Sequence, residues 1–143
     1  MSPNSHYFNV KTTVGAILTK QQANITQILL TRRSVEPYRG LWCLPGGHIE
    51  KFETARSAIL REVKEEVGLD FDAHFFDYFD EIIPEDNIHA VVLIFDGEIR
   101  GNPKAQTREV SEIKWFSLEE IQPLQLAFQH NLILKQYFER QSL

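Results

Sequence analysis

The chain has 143 residues, of which 43% are hydrophobic and 24% charged, a composition typical of one globular domain that excludes a disordered or fibrous chain. Its 15 basic and 20 acidic residues give a formal net charge of −5, so we expect no nucleic acid polymer as a partner. The single cysteine, Cys43, and the lack of a signal-peptide pattern or a long apolar run indicate a cytoplasmic protein without membrane spans. We predict one domain over residues 1–143.

The first half of the chain predicts two strands, a long loop and a helix. Apolar and polar residues alternate between positions 8 and 18, which predicts a half-buried strand. Residues 28–33 predict a short buried strand, and the Pro- and Gly-rich residues 34–47 predict a structured loop. Residues 54–67 lack Gly and Pro and place apolar side chains on one i, i+4 row, so they predict a helix that Gly68 ends.

The second half predicts a mixture of strands and loops that closes with a helix. The expected elements are a strand at 73–78, a loop at 81–87, a buried strand at 90–95, a loop at 97–111, a strand at 114–116 and an amphipathic helix at 126–140. Ser117 and Glu120 have the spacing of a capping box, which predicts a short helix directly after the last strand.

Three glutamates lie close together in the predicted helix. Glu62, Glu65 and Glu66 stand at positions i, i+3 and i+4, which places their carboxylates on one narrow arc. Like charges at this spacing repel one another, and a cation would relieve the repulsion. Because no His or Cys pattern accompanies them, these oxygen donors favour Mg²⁺, with Mn²⁺ as the alternative, over Zn²⁺. The other interpretation is a solvated acidic face.

The glutamates belong to a longer motif. Residues 47–69 match G-x5-E-x7-R-E-U-x-E-E-x-G-U, where U is aliphatic, at every fixed position. This segment resembles the Nudix box, and residues 40–47 and 115–120 also resemble the Nudix hydrolase family. The resemblance implies an α/β fold of the Nudix type, an α/β/α sandwich around a mixed sheet in which the box forms a loop, a helix and a second loop.

The resemblance also implies metal ligands and catalytic groups. The implied ligands are the carboxylates of Glu62, Glu65 and Glu66 and the backbone carbonyl of Gly46. The implied catalytic residues are Glu65, Glu66 and Glu109, the last in the loop before the final predicted strand, where the family often has an acidic ligand or base. Metal ions would neutralise a pyrophosphate, orient it and acidify the attacking water.

Two further assignments concern residues around this cluster. Arg61 and Glu53 are implied to form an ion pair that braces the helix against the loop before it, which is a structural role. Glu112 is the alternative to Glu109 as the loop carboxylate, and both are also consistent with ordinary solvated charges.

Features outside the box bear on the substrate. Pro84, at the family's characteristic distance beyond the box, and residues 123–130 resemble the ADP-ribose pyrophosphatase branch of the family. Arg32 and Arg33 are candidates for contact with a substrate phosphate, although arginines at strand ends are commonly solvated. The resemblance implies hydrolysis of the pyrophosphate linkage in ADP-ribose or another nucleoside diphosphate sugar, giving a nucleoside monophosphate and a sugar phosphate.

Other functions stay open. A second enzymatic interpretation is a pyrophosphohydrolase that cleanses the (d)NTP pool, and a third is a Nudix-like ligand sensor without catalysis. Because every box carboxylate is present, the sequence favours an enzyme over a sensor. The expected partner is a small nucleotide substrate, and the sequence leaves open whether the chain is a monomer or a homodimer.

Overall fold

The computed structural model describes residues 9–141, which form a mixed β-sheet with helices on both faces. The strands are β1 (Lys11–Gln22), β2 (Ile25–Arg33), β3 (Trp42–Cys43), β4 (Gly46–His48), β5 (His74–Ile83), β6 (Ile88–Glu98) and β7 (Val110–Ser117). The helices are α1 (Ala55–Val67), α2 (Leu118–Ile121) and α3 (His130–Gln141), and a short 3-10 turn covers Pro84–Asp86. Within residues 9–141, no helix has the length and apolar character needed to cross a membrane.

Strand β1 lies at the centre of the sheet. It pairs in parallel with β6 and antiparallel with β2 and β4, and β5 pairs antiparallel with β6. The order is β3-β2-β1-β6-β5, with β4 added to β1 and β7 to β2, so the expected mixed sheet is confirmed. Strand β2 pairs with the last residues of β1, whereas β4 pairs with the first half of β1, at Thr13–Gly15. This second pairing brings the start of the box next to the centre of the sheet.

Strand β1 is buried on both faces. Six consecutive residues, from Val14 to Thr19, are buried, so the prediction of a half-buried strand was wrong. The reason is that Ile17, on the second face, packs in one core with Ile133 and Leu134 of α3, a helix distant in sequence. Phe8, at the start of the predicted strand, lies outside the described residues.

Two hydrophobic cores, one on each face of the sheet, hold the helices in place. The core on the α3 side includes Ile17, Ile28, Leu30, Val92, Ile94, Ile133, Leu134 and Tyr137. The core on the α1 side includes Val14, Ala16, Leu18, Leu29, Ala58, Ile59, Val63 and Val67. Burial of this apolar surface favours folding by roughly 25 cal/mol per Å². The arrangement confirms the α/β/α sandwich.

Helix α1 begins and ends where the sequence predicts. Thr54 caps its N-terminus by accepting a backbone hydrogen bond from the first turn at 3.0 Å, and Gly68 ends it in the left-handed region at φ 79°. Ile59, Val63 and Val67, on one i, i+4 row, are fully buried against the sheet. This row sets the rotation of α1 about its axis and therefore the direction in which the box glutamates point.

Residues 81–87 are not the loop that the sequence predicts. Strand β5 runs through Ile83 because its last residues pair with the first residues of β6, and only the 3-10 turn and Asn87 connect the two strands. Asn87 adopts a left-handed φ of 54°, which Asn tolerates better than most residues. Alternation along the extended strand turns Phe79 and Glu81 inward, so that both are buried.

The closing helix begins later than predicted. It starts at His130 and not at residue 126. The side chain of Asn131 accepts a hydrogen bond from the N–H of Leu126 at 2.8 Å and donates one to the carbonyl of Leu124 at 2.9 Å. These contacts hold the residues before α3 in a turn, because the side chain of Asn131 binds backbone groups that would otherwise form helical hydrogen bonds.

Two other local predictions can be compared with the structure: the capping box is confirmed, and the predicted loop contains short strands. Helix α2 has the predicted capping box, in which Glu120 N–H donates to Ser117 Oγ at 3.3 Å and Ser117 N–H donates to Glu120 Oε1 at 2.9 Å. The structured loop at 34–47 contains β3 and the start of β4, which the lack of periodicity had hidden.

Replacement of Ile17 by alanine tests the double burial of β1. Ile17 is fully buried, so Ile17→Ala is expected to lower the free energy of unfolding by about 2–5 kcal/mol in urea titration. Ile25→Ala, in the same hairpin at a residue that is 54% exposed, should change it by about 0.5 kcal/mol or less. Equal effects of the two variants would contradict the second core.

Candidate active site

One arginine joins the box helix to the loop that precedes it. The guanidinium of Arg61 donates twice to Glu53, from Nε to Oε2 at 2.7 Å and from Nη2 to Oε1 at 3.0 Å. It also donates to Glu62 Oε1 at 2.9 Å, to Glu65 Oε2 at 3.2 Å and to the carbonyl of His48 at 3.1 Å. A planar guanidinium can serve these acceptors together, whereas an ammonium group cannot provide the paired geometry.

The loop before α1 is closed by further contacts of Glu53. Its backbone N–H donates to the carbonyl of Glu50 at 3.0 Å, and the N–H of Glu50 donates to Glu53 Oε1 at 3.0 Å. Arg61 first, and the N–H of Glu50 second, stabilise the charged carboxylate and lower the pKa of Glu53 to about 2. Glu53 therefore stays ionised at neutral pH and keeps the loop attached to the helix.

Two glycines bring β4 close to the box helix. The backbone N–H of Gly46 donates to Glu66 Oε2 at 2.8 Å. A Cβ on Gly47 would lie 2.5 Å from Glu62 Oε1, and a Cβ on Gly46 would lie 2.1 Å from the backbone oxygen of Val14. A side chain at position 46 would therefore push β4 away from the backbone of β1, and one at position 47 would displace the carboxylate of Glu62.

Three carboxylates share the space beside these glycines. Burial, followed by the charge of Glu62, raises the pKa of Glu66 to about 8. Burial also raises the pKa of Glu62, against the opposing effect of Arg61. The charge of Glu109 acts in the same direction on the pKa of both residues. Negative charge is therefore unfavourable at this point of the site, and a bound cation would offset its cost.

Backbone hydrogen bonds hold Glu109 near the box helix. Its carbonyl accepts from the N–H of Ser34 at 2.9 Å. The N–H groups of Lys104 and Gln106, in the same loop, each donate at 3.0 Å to carbonyls in the last turn of α1. Those carbonyls have no partner within the helix, so the loop before β7 completes the end of α1 and places Glu109 beside the box.

Glu66 and Glu109 line a cleft of about 930 Å³. A cavity of this size fits a small-molecule ligand. Gly46 and Gly47 also line it, as does Cys43. Cys43 is 4% exposed, which confirms the sequence interpretation of a buried small group. The box carboxylates are therefore connected with a cavity that can receive a substrate.

The residues proposed for substrate contact have different surroundings. Arg33 lines the cleft, with its guanidinium carbon 5.0 Å from the ring centroid of Phe128, and Pro84 lines it at the start of the 3-10 turn. Arg32 forms an ion pair with Glu112 at 2.8 Å on the exposed surface and does not line this cleft. The structure thus brings Arg33 and Pro84 to the cleft and leaves Arg32 with Glu112 outside it.

Two titratable residues of the cleft were missed by sequence reasoning. Glu81 is 5% exposed, burial raises its pKa, and its Oε2 has no hydrogen-bond partner among the described residues. His130 accepts a hydrogen bond from the N–H of Leu44 on Nδ1 at 3.0 Å, and burial lowers its pKa to about 3, so its proton lies on Nε2. The available signal for Glu81 was its place between Phe79 and Ile83 in an alternating strand.

The donors around Glu66 suit a hard divalent cation such as Mg²⁺, because all of them are oxygens. Across residues 9–141, no three acidic, His or Cys side chains already converge as a metal-binding group. Arg61 accounts for this, since it holds Glu62 at 2.9 Å and Glu65 at 3.2 Å. The chemistry of the donor set fits the metal, and binding would require these glutamates to exchange contacts with Arg61 for the cation.

Arg61→Lys tests the role of the guanidinium. The variant keeps the charge but cannot make the paired contacts with Glu53 and reach the helix carboxylates as well, so we expect a lower melting temperature. Arg39→Lys is the matched control, because Arg39 is 62% exposed and pairs with Glu36 at 3.6 Å. A melting temperature equal to that of the control in differential scanning calorimetry would contradict the brace.

The pKa of Glu66 predicts a pH dependence of stability in the metal-free protein. The pKa of Glu66 is ordinarily 4.5 and rises to about 8 in the folded protein. The stabilisation that the protonated group contributes is therefore complete below about pH 4.5 and is lost as the pH rises to 8. As the pH rises from about 4.5 to 8, the free energy of unfolding of the wild type should therefore fall by a few kcal/mol more than that of Glu66→Gln, which is the order expected for such a pKa shift. Urea titrations in EDTA at several pH values measure the difference, and parallel pH curves would contradict it.

The chain was compared with known proteins and solved structures. A model of the NUDIX domain matches residues 10–137. The chain is 29% identical over 132 residues to the ADP-ribose pyrophosphatase of Methanocaldococcus jannaschii, covering 92% of this chain and 75% of that protein. It is 29% identical over 134 residues to the ADPR responsive transcriptional repressor NtrR of Acinetobacter baylyi, covering 87% of this chain but only 51% of the repressor.

Solved structures with the same fold were also found. The NUDIX domain of Shewanella oneidensis NrtR, complexed with ADP ribose, superimposes with a TM-score of 0.85 at 25% identity and covers 98% of this chain and 93% of that one. The sandwich, the loop-helix-loop of the box and the family match over residues 10–137 agree with one another. The chain belongs to the NUDIX hydrolase family.

Proposed function

We propose that the protein is a divalent-metal-dependent pyrophosphohydrolase that cleaves ADP-ribose or another nucleoside diphosphate sugar into a nucleoside monophosphate and a sugar phosphate. The observation that carries the proposal is the position of Glu66. Its carboxylate lines the cleft, accepts a hydrogen bond from Gly46 and lies in the electrostatic field of Glu62 and Glu109. Such a site concentrates oxygen ligands where a pyrophosphate can enter.

Each acidic residue has a role in the proposed mechanism. Mg²⁺, or Mn²⁺ as the alternative, would neutralise the pyrophosphate and acidify the attacking water when bound. Glu62, Glu65 and Glu66 would hold the cation together with the carbonyl of Gly46. Of the three catalytic candidates, Glu65, Glu66 and Glu109, the last two line the cleft, and in this proposal they would orient the attacking water and accept its proton.

The arginines have separate roles in this proposal. Arg61 keeps the box loop and helix together and stays outside the reaction. Arg33 would bind a substrate phosphate from within the cleft. Its Nε donates to the carbonyl of Pro37 at 2.7 Å, and the ring of Phe128 supports the guanidinium. Arg33 is thereby held in position before the substrate arrives, which lowers the entropic cost of binding.

The preference for ADP-ribose is supported by two relatives. The similar archaeal protein is an ADP-ribose pyrophosphatase, and the similar Shewanella domain was solved in complex with ADP ribose. Pro84, which lines the cleft, fixes its own φ and restricts the residue before it. We propose that it shapes the part of the cleft that receives the nucleotide.

A second candidate function is the binding of ADP-ribose without hydrolysis. The similarity to the Acinetobacter repressor favours it, but that relative is about twice as long as the matched region. All three box glutamates are present in this chain, and a binding site alone does not need them. We therefore prefer the enzyme and treat the sensor as an outcome of the test.

The test is product analysis on a panel of nucleotides. With Mg²⁺, ADP-ribose is expected to give AMP and ribose 5-phosphate, and excess EDTA should abolish the reaction. Glu66→Gln should lower kcat by about two orders of magnitude or more, because several kcal/mol of metal-dependent stabilisation is lost. Glu119→Gln is the control, since Glu119 is exposed on α2 and does not line the cleft.

Three results would contradict parts of this proposal. Release of pyrophosphate from a dNTP, at a higher kcat/KM than for any diphosphate sugar, would identify a pool-cleansing enzyme. Binding of ADP-ribose without products would identify a sensor. Full activity in excess EDTA would exclude the role of the metal.

A further inference from the structure

A buried carboxyl group in the cleft has an oxygen without a partner. Glu81 lies on β5, is 5% exposed and lines the cleft. The backbone N–H of Gln129 serves its carboxyl group, but Oε2 has no hydrogen-bond partner in residues 9–141. Buried polar atoms without a partner are rare because they lose their hydration without compensation. A ligand bound in the cleft could supply the hydrogen-bond donor that Oε2 lacks.

The register of the sheet separates Glu81 from the box. Lys11, Ala90 and Glu81 stand level on three neighbouring strands and all three line the cleft, with the small side chain of Ala90 between the two longer ones. Gly15, the partner of Gly46 on β4, is about 13 Å from Lys11 along β1 at about 3.3 Å per residue. This separation leaves room for a nucleoside between the box carboxylates and Glu81.

The surroundings of Glu81 favour a base over a sugar. The cleft is lined near β5 and β6 by the polar residues Asn87 and His89, but its lining also includes the apolar residues Leu44, Ile82, Pro84, Ile88, Ala90, Val92 and Phe128. A sugar brings several hydroxyl groups, each of which needs a partner when it leaves water. A flat heteroaromatic ring can contact these apolar groups with its faces and needs polar partners only at its edge.

We propose that Glu81 recognises the nucleobase of the substrate by accepting a hydrogen bond from an exocyclic amino group such as that of adenine. This inference rests on the proposed hydrolysis of a nucleoside diphosphate sugar. A carboxylate oxygen accepts from an amino group, but a keto oxygen at the same place has no hydrogen to offer and is repelled. Glu81 therefore favours an amino-bearing base and acts as a specificity residue, remote from the reacting atoms.

The test varies the base and the sugar separately. ADP-ribose is compared with its hypoxanthine analogue, in which a keto oxygen replaces the amino group, and with ADP-glucose, which keeps the base. Glu81→Leu should lower the ratio of kcat/KM for ADP-ribose over the hypoxanthine analogue by about tenfold, mainly through KM, as expected for one buried hydrogen bond. The ratio of ADP-ribose to ADP-glucose should stay unchanged. Glu81→Gln retains a carbonyl oxygen and should preserve more of the base preference.

The matched control is the next residue on the strand. Asp80→Asn removes the same charge from an exposed side chain of β5 and should leave both ratios unchanged, with melting temperatures confirming that all variants fold. An unchanged base ratio in Glu81→Leu would overturn the proposal, and so would a change confined to the sugar ratio. If no diphosphate sugar is hydrolysed, the proposed activity fails, and calorimetric affinities for ADP-ribose and the hypoxanthine analogue decide about Glu81 by the same criterion.

Discussion

The site depends on one guanidinium surrounded by carboxylates. Arg61 contacts Glu53 in the loop and Glu62 and Glu65 on the helix. Without a cation at this point, these anions would repel one another and separate the loop from α1. Arg61 is 23% exposed, so solvent screens these interactions less than on an open surface. The same carboxylates that stabilise the metal-free loop-helix unit are the oxygens that the proposed metal requires.

The position of this unit follows from close packing around glycine. Gly46 and Gly47 have no side chains, and β4 therefore approaches both the central strand β1 and the carboxylates of α1. The loop before β7 completes the last turn of α1 and adds Glu109. Strand β4, the box helix that follows it and the distant loop before β7 thus meet at one edge of the cleft. Each contact depends on backbone groups, so the site is built on the sheet and its loops as much as on the box helix.

The cleft combines two different environments. The carboxyl groups of Glu66 and Glu109 line its box side, close to Glu62, so the binding of a pyrophosphate there requires a cation. The region around Glu81 includes apolar residues such as Ala90 and Val92 and contains a carboxyl group with an oxygen that has no hydrogen-bond partner among the described residues. In the proposed function, the box side of the cleft carries out the hydrolysis, and the region around Glu81 selects the substrate. The chain is similar in sequence both to an ADP-ribose pyrophosphatase and to an ADPR responsive repressor, so membership of the family does not by itself distinguish hydrolysis from binding.

The box helix, its caps and the family of the chain could be predicted from the sequence, because they depend on residues a few positions apart: Thr54 and Gly68 end α1, and its apolar row sets its buried face. The sequence also identified Cys43 as a buried group. It could not show that β1 is buried on both faces, that β5 extends to Ile83 or that Glu81 enters the cleft. Those features were decided by the tertiary structure, since burial and pairing depend on strands and helices far apart in the chain, and a local pattern of hydrophobicity contains no information about which distant element covers it.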